Sequence, residues 1–354
     1  MASALFNLAL NPVVTGPAYS ILGLPSPYFR DPISAHLSKY IPASILSKSI
    51  SGLGYLFLLG LARQTSAYLS HLSQNNWRLG SEAHRYDWPK EIAVVTGGTG
   101  GFGTLICKSL AAKGLTVICV DISPSISEEM EANPKIHYHK CDITSPEAVA
   151  QLGETVKQTY GHPSILINNA GIGYDHPVIH AKPADLNRIY GVNLLSHYYL
   201  IQAFMPHMIA SKKGHVISMA SMASFVSQAG MADYCGTKAA VLALHEALMQ
   251  ETRVLHGAPE IKFTIVHPTF ADTPLYRQYQ KKIDAGGTTV IRPEQVSDAV
   301  VGQVLSGRGG QVVLAAGMEW ISSIRGWPQW VQQVLMVASD VGVRRGMAVK
   351  EEGK

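Results

Sequence analysis

Charged side chains are scarce in this chain. Lys, Arg, Asp and Glu make up 15% of its 354 residues, against about 25% in an average soluble protein. Hydrophobic residues make up 47%, enough for one large folded domain with additions, or for two domains. Residues 1–90 contain seven Lys or Arg and three Asp or Glu, and so carry the whole net charge of +4. The neutral remainder argues against a nucleic-acid surface, which needs clustered Lys and Arg.

Cysteine is also sparse, and the sequence has no Cys-x-x-Cys pair. The four cysteines, Cys107, Cys119, Cys141 and Cys235, are scattered. A chain of this length needs no disulfide staples, so we expect reduced thiols in a cytosol-facing protein. Neither these spacings nor the pairs among the fourteen histidines complete a metal site, and we predict no metal.

The N-terminal segment lacks the basic start of a secretory signal, because its first charged residue is Arg30. The run Ile50–Ala62 has thirteen residues without a charge, shorter than the roughly 20 needed to span a bilayer. Extending it back to Ile41 adds Lys48. Two interpretations stay open: residues 1–90 associate with a membrane, spanning it or lying on it, or they form a buried helical hairpin that caps the main domain.

From Glu91 onward, short apolar runs alternate with stretches of helical spacing. This alternation predicts an α/β, doubly wound Rossmann-type fold: a seven-stranded parallel sheet with helices on both faces. The predicted strands are 92–96, 115–120, 135–140, 164–168, 215–219, 261–266 and 311–314. The predicted helices are 101–113, 146–160, 184–211, 231–256 and 293–305. We assign residues 91–318 to this dinucleotide-binding catalytic domain.

Residues 319–354 form a Trp-rich, amphipathic C-terminal tail. Trp320, Trp327 and Trp330 lie among aliphatic residues. Such a stretch suits a bilayer interface. It equally suits a helix that caps a substrate pocket or forms a dimer face.

A glycine-rich turn, Thr96-Gly-Gly-Thr-Gly-Gly-Phe-Gly103, follows the first strand and opens the first helix. Its glycines allow a tight turn and close approach of the backbone to a pyrophosphate, which the helix N-terminus then faces. The motif is weak alone, but its position between strand and helix is the one that a dinucleotide site requires.

Acidic and amide side chains follow the next strands. Asp121 ends the second strand, where a carboxylate accepts hydrogen bonds from the adenosine ribose and repels a 2′-phosphate. No Arg or Lys occurs between Gly114 and Met130, which favours NAD over NADP without excluding NADP. Asp142, after the third strand, suits the adenine amino group or a turn. Asn168–Gly171 ends the fourth strand, where the asparagines can lock the sheet edge.

Ser221, Tyr234 and Lys238 form the decisive constellation. Tyr234 and Lys238 are four apart on one helix, so both emerge on one face. A phenol ionises near pH 10, and a nearby ammonium lowers that pKa. The phenol can then exchange a proton with a substrate hydroxyl while hydride moves to or from nicotinamide. Ser221 at the end of the fifth strand can bond the same substrate oxygen.

Together these motifs resemble the short-chain dehydrogenase/reductase family from about Glu91 to Leu314. The resemblance implies NAD(H) or NADP(H) as cofactor and Tyr234 as general acid/base. Lys238 would lower the Tyr pKa and bind the nicotinamide ribose, Ser221 would stabilise the reacting oxygen, and Asn193 would hold a water beside the lysine. From the residues alone, Asn193 in mid-helix could equally be exposed. The cofactor-binding residues that the motifs and the resemblance indicate are Thr96, Gly97, Thr99, Gly101, Phe102, Gly103, Asp121, Asp142, Ile143, Asn169, Ala170, Gly171, Tyr234, Lys238, Pro268, Ala271 and Thr273.

One departure from the family pattern follows the sixth strand, where the usual Pro-Gly is Pro268-Thr269. This variant, the stretch GHVISMASMASF and the apolar N-terminus look like the membrane-associated retinol/hydroxysteroid dehydrogenase branch. That branch implies a lipophilic alcohol or carbonyl substrate and a membrane surface, at the endoplasmic reticulum or a lipid droplet. A homodimer is compatible with the sequence.

A rival hypothesis makes the chain a catalytically idle dinucleotide-binding protein at a membrane surface. The intact Ser221, Tyr234, Lys238 and Asn193 argue against it, because such idleness usually shows as the loss of one of them.

Overall fold

A computed structural model describes residues 7–23, 27–278, 280, 284 and 289–337. The chain divides into two compact units, Met1–Ser73 and Gln74–Lys354.

The described part of the first unit includes the helices α1 (Pro12–Gly23), α2 (Pro27–Leu37) and α3 (Ala43–Ser73). Small residues let α1 approach α3 closely. A Cβ added to Gly16 of α1 would lie 2.9 Å from the Phe57 ring, and one added to Gly54 of α3 would lie 2.7 Å from the Tyr19 ring. These contacts form a close-packed helical pair.

Helix α3 is much longer than the thirteen-residue apolar run. It has 31 residues, and among the described helices it is the one long and apolar enough to cross a membrane, by length and composition. Only 17% of its most apolar window is buried, and Leu58 and Leu59 are 59% and 60% exposed. A helix of this length and composition is compatible with membrane association.

The second unit is built on one parallel sheet of seven strands, as predicted. Across the sheet the strands follow the order β3-β2-β1-β4-β5-β6-β7. Successive strands are added on one side from β1 to β3 and on the other side from β4 to β7, so the strand order reverses between β1 and β4 although all strands stay parallel. Their bounds are β1 (Ile92–Thr96), β2 (Thr116–Asp121), β3 (Ile136–Lys140), β4 (Ile165–Asn168), β5 (His215–Met219), β6 (Lys262–Pro268) and β7 (Gly310–Leu314).

Helices cover both faces of this sheet. They are α4 (Gly101–Ala112), α5 (Glu128–Glu131), α6 (Pro146–Thr159), α7 (Pro183–Tyr190), α8 (Ser196–Ser211), α9 (Ala232–Val254), α10 (Pro274–Arg277) and α11 (Pro293–Ser306). Val95 packs in the core cluster that includes α4 and α11, while its neighbour Val94 packs in the cluster that includes α6 and α8. Alternate side chains of β1 therefore enter two different cores, which is why the strand is a continuous apolar run.

The single long helix predicted over 184–211 is interrupted. Helix α7 ends at Tyr190, a π-helical turn runs from Gly191 to Leu195, and α8 begins at Ser196. A π-turn widens the helix by one residue. Here the widened turn contains Asn193, whose side chain hydrogen-bonds to residues outside the helix. The spacing of apolar residues does not predict such a bond, so it did not predict the interruption.

Residues 74–90 hydrogen-bond extensively within the second unit. The Asn75 amide donates to the Gly309 carbonyl and accepts from the Gly309 N–H, both at 2.9 Å. The Ser81 hydroxyl donates to the Ser306 carbonyl, and buried Glu82 pairs with Arg78. These bonds fix the segment beside β7. The domain boundaries proposed at residues 90 and 318 stay predictions.

The tail continues from β7 as a 3-10 helical segment, Glu319–Gly326, followed by helical residues 329–337. Trp320 stacks on Trp327 with ring centroids 5.5 Å apart. Trp330 is 70% exposed. Residues 338–354 of the predicted tail lie outside the described residues.

Candidate active site

A cavity of about 1350 Å³ opens at the carboxyl ends of the strands, where the strand order reverses. Ligands of open parallel sheets bind at such a switch point because the loops on either side diverge there. Most of the site residues predicted from sequence line it. They are Gly97, Thr99, Gly101, Phe102, Asp121, Asp142, Ile143, Asn169, Ala170, Gly171, Ser221, Tyr234, Lys238, Pro268, Ala271 and Thr273.

The glycine-rich turn lies at the start of α4. Gly97 has a φ of +62°, and a Cβ on it would lie 2.8 Å from the Ala170 Cα. A Cβ on Gly103 would lie 2.0 Å from the Gly97 carbonyl oxygen. Both positions require glycine, one for its backbone angle and one for space. Gly103 does not line the cavity but closes the turn from behind.

Thr96 likewise supports the cavity from behind. It is buried, and its hydroxyl accepts from the Asn169 and Ala170 backbone N–H groups at 3.0 and 3.2 Å. The Asn169 side chain donates back to the Thr96 carbonyl at 2.9 Å. Thr96 therefore ties the ends of β1 and β4 together, as the sequence suggested for the asparagine edge.

Asp121 is held against the glycine-rich turn. Its Oδ2 accepts from the Thr99 N–H and hydroxyl at 3.1 and 2.7 Å, and its Oδ1 accepts from the Ser123 N–H at 3.1 Å. The carboxylate is thus fixed on the cavity rim with its charge in place. Asp142 is exposed at the same rim and accepts from the Thr144 N–H and hydroxyl, so it serves the turn and borders the cavity at once.

Ser221, Tyr234 and Lys238 meet at the opposite side of the cavity. The Lys238 Nζ lies 5.6 Å from the Tyr234 ring centroid and donates to the Met219 carbonyl at 2.8 Å. The Ser221 Oγ accepts from the Ala223 N–H at 3.1 Å, which caps the short turn after β5. The β5 end and the first turn of α9 therefore place all three groups on one surface.

Burial is the main cause of the pKa shifts of Tyr234 and Lys238. It raises the pKa of the Tyr234 phenol to about 12, and a hydrogen bond from the Ser221 hydroxyl opposes that rise. Burial also lowers the pKa of Lys238 to about 8. The sequence predicts that Lys238 lowers the phenol's pKa, but in the structure desolvation raises that pKa, and the opposing influence is the Ser221 hydroxyl.

Asn193 is fully buried, so the suggestion that it is exposed is wrong. Its Oδ1 accepts from the Ile172 N–H, and its Nδ2 donates to the Ile172 carbonyl, both at 2.9 Å. It also donates to the Thr237 hydroxyl on α9. Asn193 lies behind the cavity wall and joins the loop after β4 to the catalytic helix.

Several residues of the site escaped the sequence analysis. Asp233 accepts from the Tyr234 N–H at 2.8 Å and faces the His176 ring at 3.6 Å. Apolar side chains from four separate segments complete the lining, and of these only Met222 belongs to a motif, the stretch GHVISMASMASF. They are Met222, Met231, Leu275, Met318 and Ile321.

The cavity fits a dinucleotide. The glycine-rich turn, the first residues of α4, Asp121, Tyr234 and Lys238 all line this one cavity. Thr273 closes in so tightly that a Cβ on Gly101 would lie 2.8 Å from its methyl group. Within the described ranges, no group of three or more His, Cys, Asp or Glu could hold a metal ion.

Comparison with known proteins agrees with this geometry. The family model described as short chain dehydrogenase matches residues 91–284. The dehydrogenase RED2 of Cochliobolus heterostrophus is 34% identical over 201 residues, 57% of this chain and 74% of that protein. Human epidermal retinol dehydrogenase 2 is 33% identical over 192 residues, 52% of this chain but only 62% of the relative's length.

Solved structures share the fold. A 3-ketoacyl-(acyl-carrier-protein) reductase from Brucella melitensis, complexed with NADH, superposes with a TM-score of 0.58 at 25% identity, covering 65% of this chain and 98% of the other. A metagenomic short-chain oxidoreductase in complex with NADP gives a TM-score of 0.53 at 27% identity, covering 64% and 96%. Both nicotinamide cofactors are thus represented among similar structures.

Proposed function

This chain belongs to the short-chain dehydrogenase family, and on that basis we propose that it interconverts a lipophilic alcohol and its carbonyl product, with Tyr234 as general acid/base. It is an NAD(P)-dependent oxidoreductase of the retinol dehydrogenase branch. The observation that carries the proposal is the meeting of Ser221, Tyr234 and Lys238 in the cavity that also contains the glycine-rich turn.

The proposed mechanism assigns the proton to Tyr234. Bound nicotinamide would supply or accept the hydride. In reduction, the neutral phenol donates its proton to the substrate oxygen and becomes phenolate; in oxidation, the phenolate accepts the proton of the substrate hydroxyl. The Ser221 hydroxyl holds the substrate oxygen in both directions. Lys238 would stabilise the phenolate and bind the nicotinamide ribose, and Asn193 would hold a water beside Lys238. A pKa of about 12 for Tyr234 keeps the phenol protonated at neutral pH, the state that reduction needs.

The apolar lining supports a lipophilic substrate. Met222, Met231 and Met318 line the cavity with Leu275 and Ile321. Methionine side chains are flexible and adapt to irregular apolar shapes. Relatives of this chain are named retinol dehydrogenases, which points to the same substrate class.

Asp121 supports a preference for NAD. Its carboxylate is fixed at the cavity rim by Thr99. A 2′-phosphate placed beside it would meet a like charge.

A membrane-associated setting is supported by two features, each within its own unit. Helix α3 exposes Leu58 and Leu59, and the tail exposes Trp320 and Trp330. We propose a catalytic domain that faces the cytosol at the endoplasmic reticulum or a lipid droplet. The idle dinucleotide-binding alternative is less well supported, because the structure brings Ser221 and Tyr234 together in one cavity.

The first test is a cofactor-coupled screen of the full chain in detergent. Retinoids, sterols, and aliphatic and aromatic alcohols, with their carbonyl counterparts, are each offered with NAD(H) and NADP(H). We expect turnover of apolar members, followed by nicotinamide absorbance. Failure of the protein to bind either cofactor in a fluorescence titration would sink the proposal.

The Tyr234→Phe variant tests the general acid/base. Loss of a positioned proton donor is expected to lower kcat by about 100- to 10,000-fold. Cofactor affinity should stay unchanged, because the ring and its packing are retained. Tyr198→Phe, an exposed tyrosine of α8, is the matched control and should behave as wild type. Undiminished turnover by Tyr234→Phe would refute the assignment.

A further inference from the structure

His267 is a buried polar residue to which the mechanism gives no role. It lies on β6 directly before Pro268 and is 0% exposed. It does not line the cavity. A buried histidine loses its hydration, which requires that its nitrogens find partners inside the protein.

The partners of His267 define its tautomer. Nδ1 lies 3.1 Å from the Ser221 carbonyl oxygen. A carbonyl only accepts, so Nδ1 carries the proton and donates. Nε2 then presents a lone pair, and the Gln311 amide nitrogen lies 3.4 Å away on β7. The Phe225 ring packs against the imidazole with centroids 4.5 Å apart. Burial lowers the pKa of His267 to about 4, which agrees with a neutral ring.

This contact occurs where regular strand pairing ends. The Ala220 N–H donates to the Val266 carbonyl at 2.8 Å, beyond the last register pair of β5 and β6. Pro268 has no N–H with which to extend the ladder. The side chain of His267 supplies a donor for the next residue instead, by bonding the Ser221 carbonyl. The Ser221 carbonyl also accepts from the Ser224 N–H at 2.9 Å inside the turn, so the imidazole is the second donor to this oxygen and the one that joins the turn to β6.

The position of the Ser221 hydroxyl depends on that backbone. Its Oγ accepts from the Ala223 N–H and lies 3.4 Å from the Pro268 carbonyl. Both contacts require the residue to keep its extended conformation, φ −166° and ψ 164°. Without the imidazole, the carbonyl would keep only its bond to Ser224 inside the turn. The turn from Ser221 to Phe225 could then shift relative to β6 and move the hydroxyl from its place in the cavity.

We propose that His267 is a positioning residue for the reaction, holding the Ser221 carbonyl so that the Ser221 hydroxyl faces the reacting oxygen. This inference rests on the proposed function, in which Ser221 stabilises that oxygen. Gln311 fixes the imidazole from the far side, and Phe225 covers its face. The requirement is for an N–H donor at the place of Nδ1, not for a titratable group.

Two substitutions distinguish the hydrogen-bond donor of His267 from its side-chain volume. His267→Asn keeps an N–H close to the place of Nδ1, whereas His267→Leu keeps volume without a donor. We expect His267→Leu to lower kcat at least about tenfold, as loss of alignment of an oxyanion donor does, with cofactor affinity unchanged. His267→Asn should recover most of that loss. His215→Leu, an equally buried histidine that bonds Thr264, is the control and should leave kcat unchanged.

A double-mutant cycle with Ser221→Ala tests whether His267 acts through the serine. If it does, adding His267→Leu to Ser221→Ala lowers kcat by less than about twofold, because the group being positioned is gone. A second full tenfold loss would mean that His267 acts elsewhere and would overturn the proposal. Equal kcat for His267→Leu and wild type would overturn it as well.

Backbone amide hydrogen exchange, measured by mass spectrometry, tests the role of His267 without requiring turnover. Backbone amides of 221–226 should exchange faster in His267→Leu than in His267→Asn or His215→Leu. Should His267→Leu fail to fold, His267→Gln replaces it, since its amide reaches toward Gln311 rather than Ser221. Unchanged exchange in this segment refutes the positioning role. Inactivity of the wild-type chain on every substrate refutes the proposed function instead, and exchange still decides the role of His267.

Discussion

At the residue scale, Lys238 is a buried cation. It is only 3% exposed, and its ammonium donates to the Met219 carbonyl at 2.8 Å. Burial of a charge costs folding free energy, and here it lowers the pKa of the lysine from 10.5 to about 8. The site thus retains a cation that the fold by itself disfavours. Such a balance is typical of functional positions, where stability is exchanged for chemistry.

The lowered pKa of Lys238 should affect how the stability of the chain depends on pH. Between pH 8 and 10.5 the unfolded chain holds a proton on Lys238 that the folded chain has released. The contribution of Lys238 to the free energy of unfolding therefore rises with pH across this window, by at most about 1.4 kcal/mol per pH unit, while the buried thiols of Cys107, Cys141 and Cys235, whose pKa values are raised, contribute with the opposite sign. Lys238→Met should abolish turnover and, by removing this contribution, lower the slope of the unfolding free energy against pH in urea unfolding curves. Lys113→Met, an exposed control, should keep the wild-type slope; a wild-type slope in Lys238→Met would contradict the prediction.

Asp121 carries the prediction on cofactor choice. Asp121→Asn keeps an oxygen to accept from Thr99 but removes the charge. We expect the ratio of kcat/KM for NAD over NADP to fall about tenfold or more, since tenfold corresponds to about 1.4 kcal/mol. Steady-state kinetics with both cofactors measures this ratio. Asp142→Asn, a neighbouring rim carboxylate, is the comparison and should shift the ratio less. An unchanged ratio in Asp121→Asn would remove the argument for NAD.

At the element scale, the π-turn between α7 and α8 decides where the loop after β4 lies. Asn193 satisfies both backbone groups of Ile172 and reaches Thr237 on α9. One side chain thus joins three elements. π-turns recur at functional sites because they redirect a side chain without ending the helix.

Replacing Asn193 should therefore destabilise the chain as well as the site. Asn193→Leu leaves the Ile172 N–H and carbonyl without these partners, which costs about 1–3 kcal/mol for each unsatisfied group. We expect the free energy of unfolding to fall by about 2–5 kcal/mol. Asn187→Leu on exposed α7 should change it by less than about 0.5 kcal/mol. A loss for Asn193→Leu no larger than for Asn187→Leu would show that these bonds do not stabilise the fold.

At the scale of the whole molecule, two units of different character share one chain. The first exposes an apolar helix of 31 residues, and the second has a neutral α/β core with its own cavity. An exposed apolar face of this size in water is a liability, whereas in a bilayer it is a stabilising surface.

Membrane attachment can be tested with two charges in α3. Leu58→Lys together with Leu59→Lys should cost about 5–7 kcal/mol of insertion free energy, at about 2.5–3.5 per lysine. We expect the variant to lose carbonate-resistant pelleting with membranes while retaining cofactor binding. Leu79→Lys with Leu255→Lys places the same charges on exposed leucines of the second unit and should pellet as wild type. A fully soluble wild-type protein would refute membrane attachment outright.

The sheet was predictable because its determinants are local. Most strands are short apolar runs, and β1, β2 and β4 end at or directly before a glycine, aspartate or asparagine. Parallel pairing buries both faces of β1. The glycine-rich turn was predictable for the same reason, since the positive φ of Gly97 and the contact of Gly103 with the Gly97 carbonyl are both set within the turn. Periodicity failed at Asn193, where a side-chain bond to Ile172 overrides helical regularity.

What the sequence alone determined was therefore the fold class, the cofactor class and the motif residues, because backbone sterics and apolar spacing are properties of neighbouring positions. Only the tertiary structure decided that burial raises the pKa of Tyr234 to about 12, that α3 is mostly exposed, and that His267 bonds the Ser221 carbonyl. Desolvation and hydrogen bonding depend on residues distant in the chain, such as His267 and Ser221. Their proximity arises only when β5 and β6 pair.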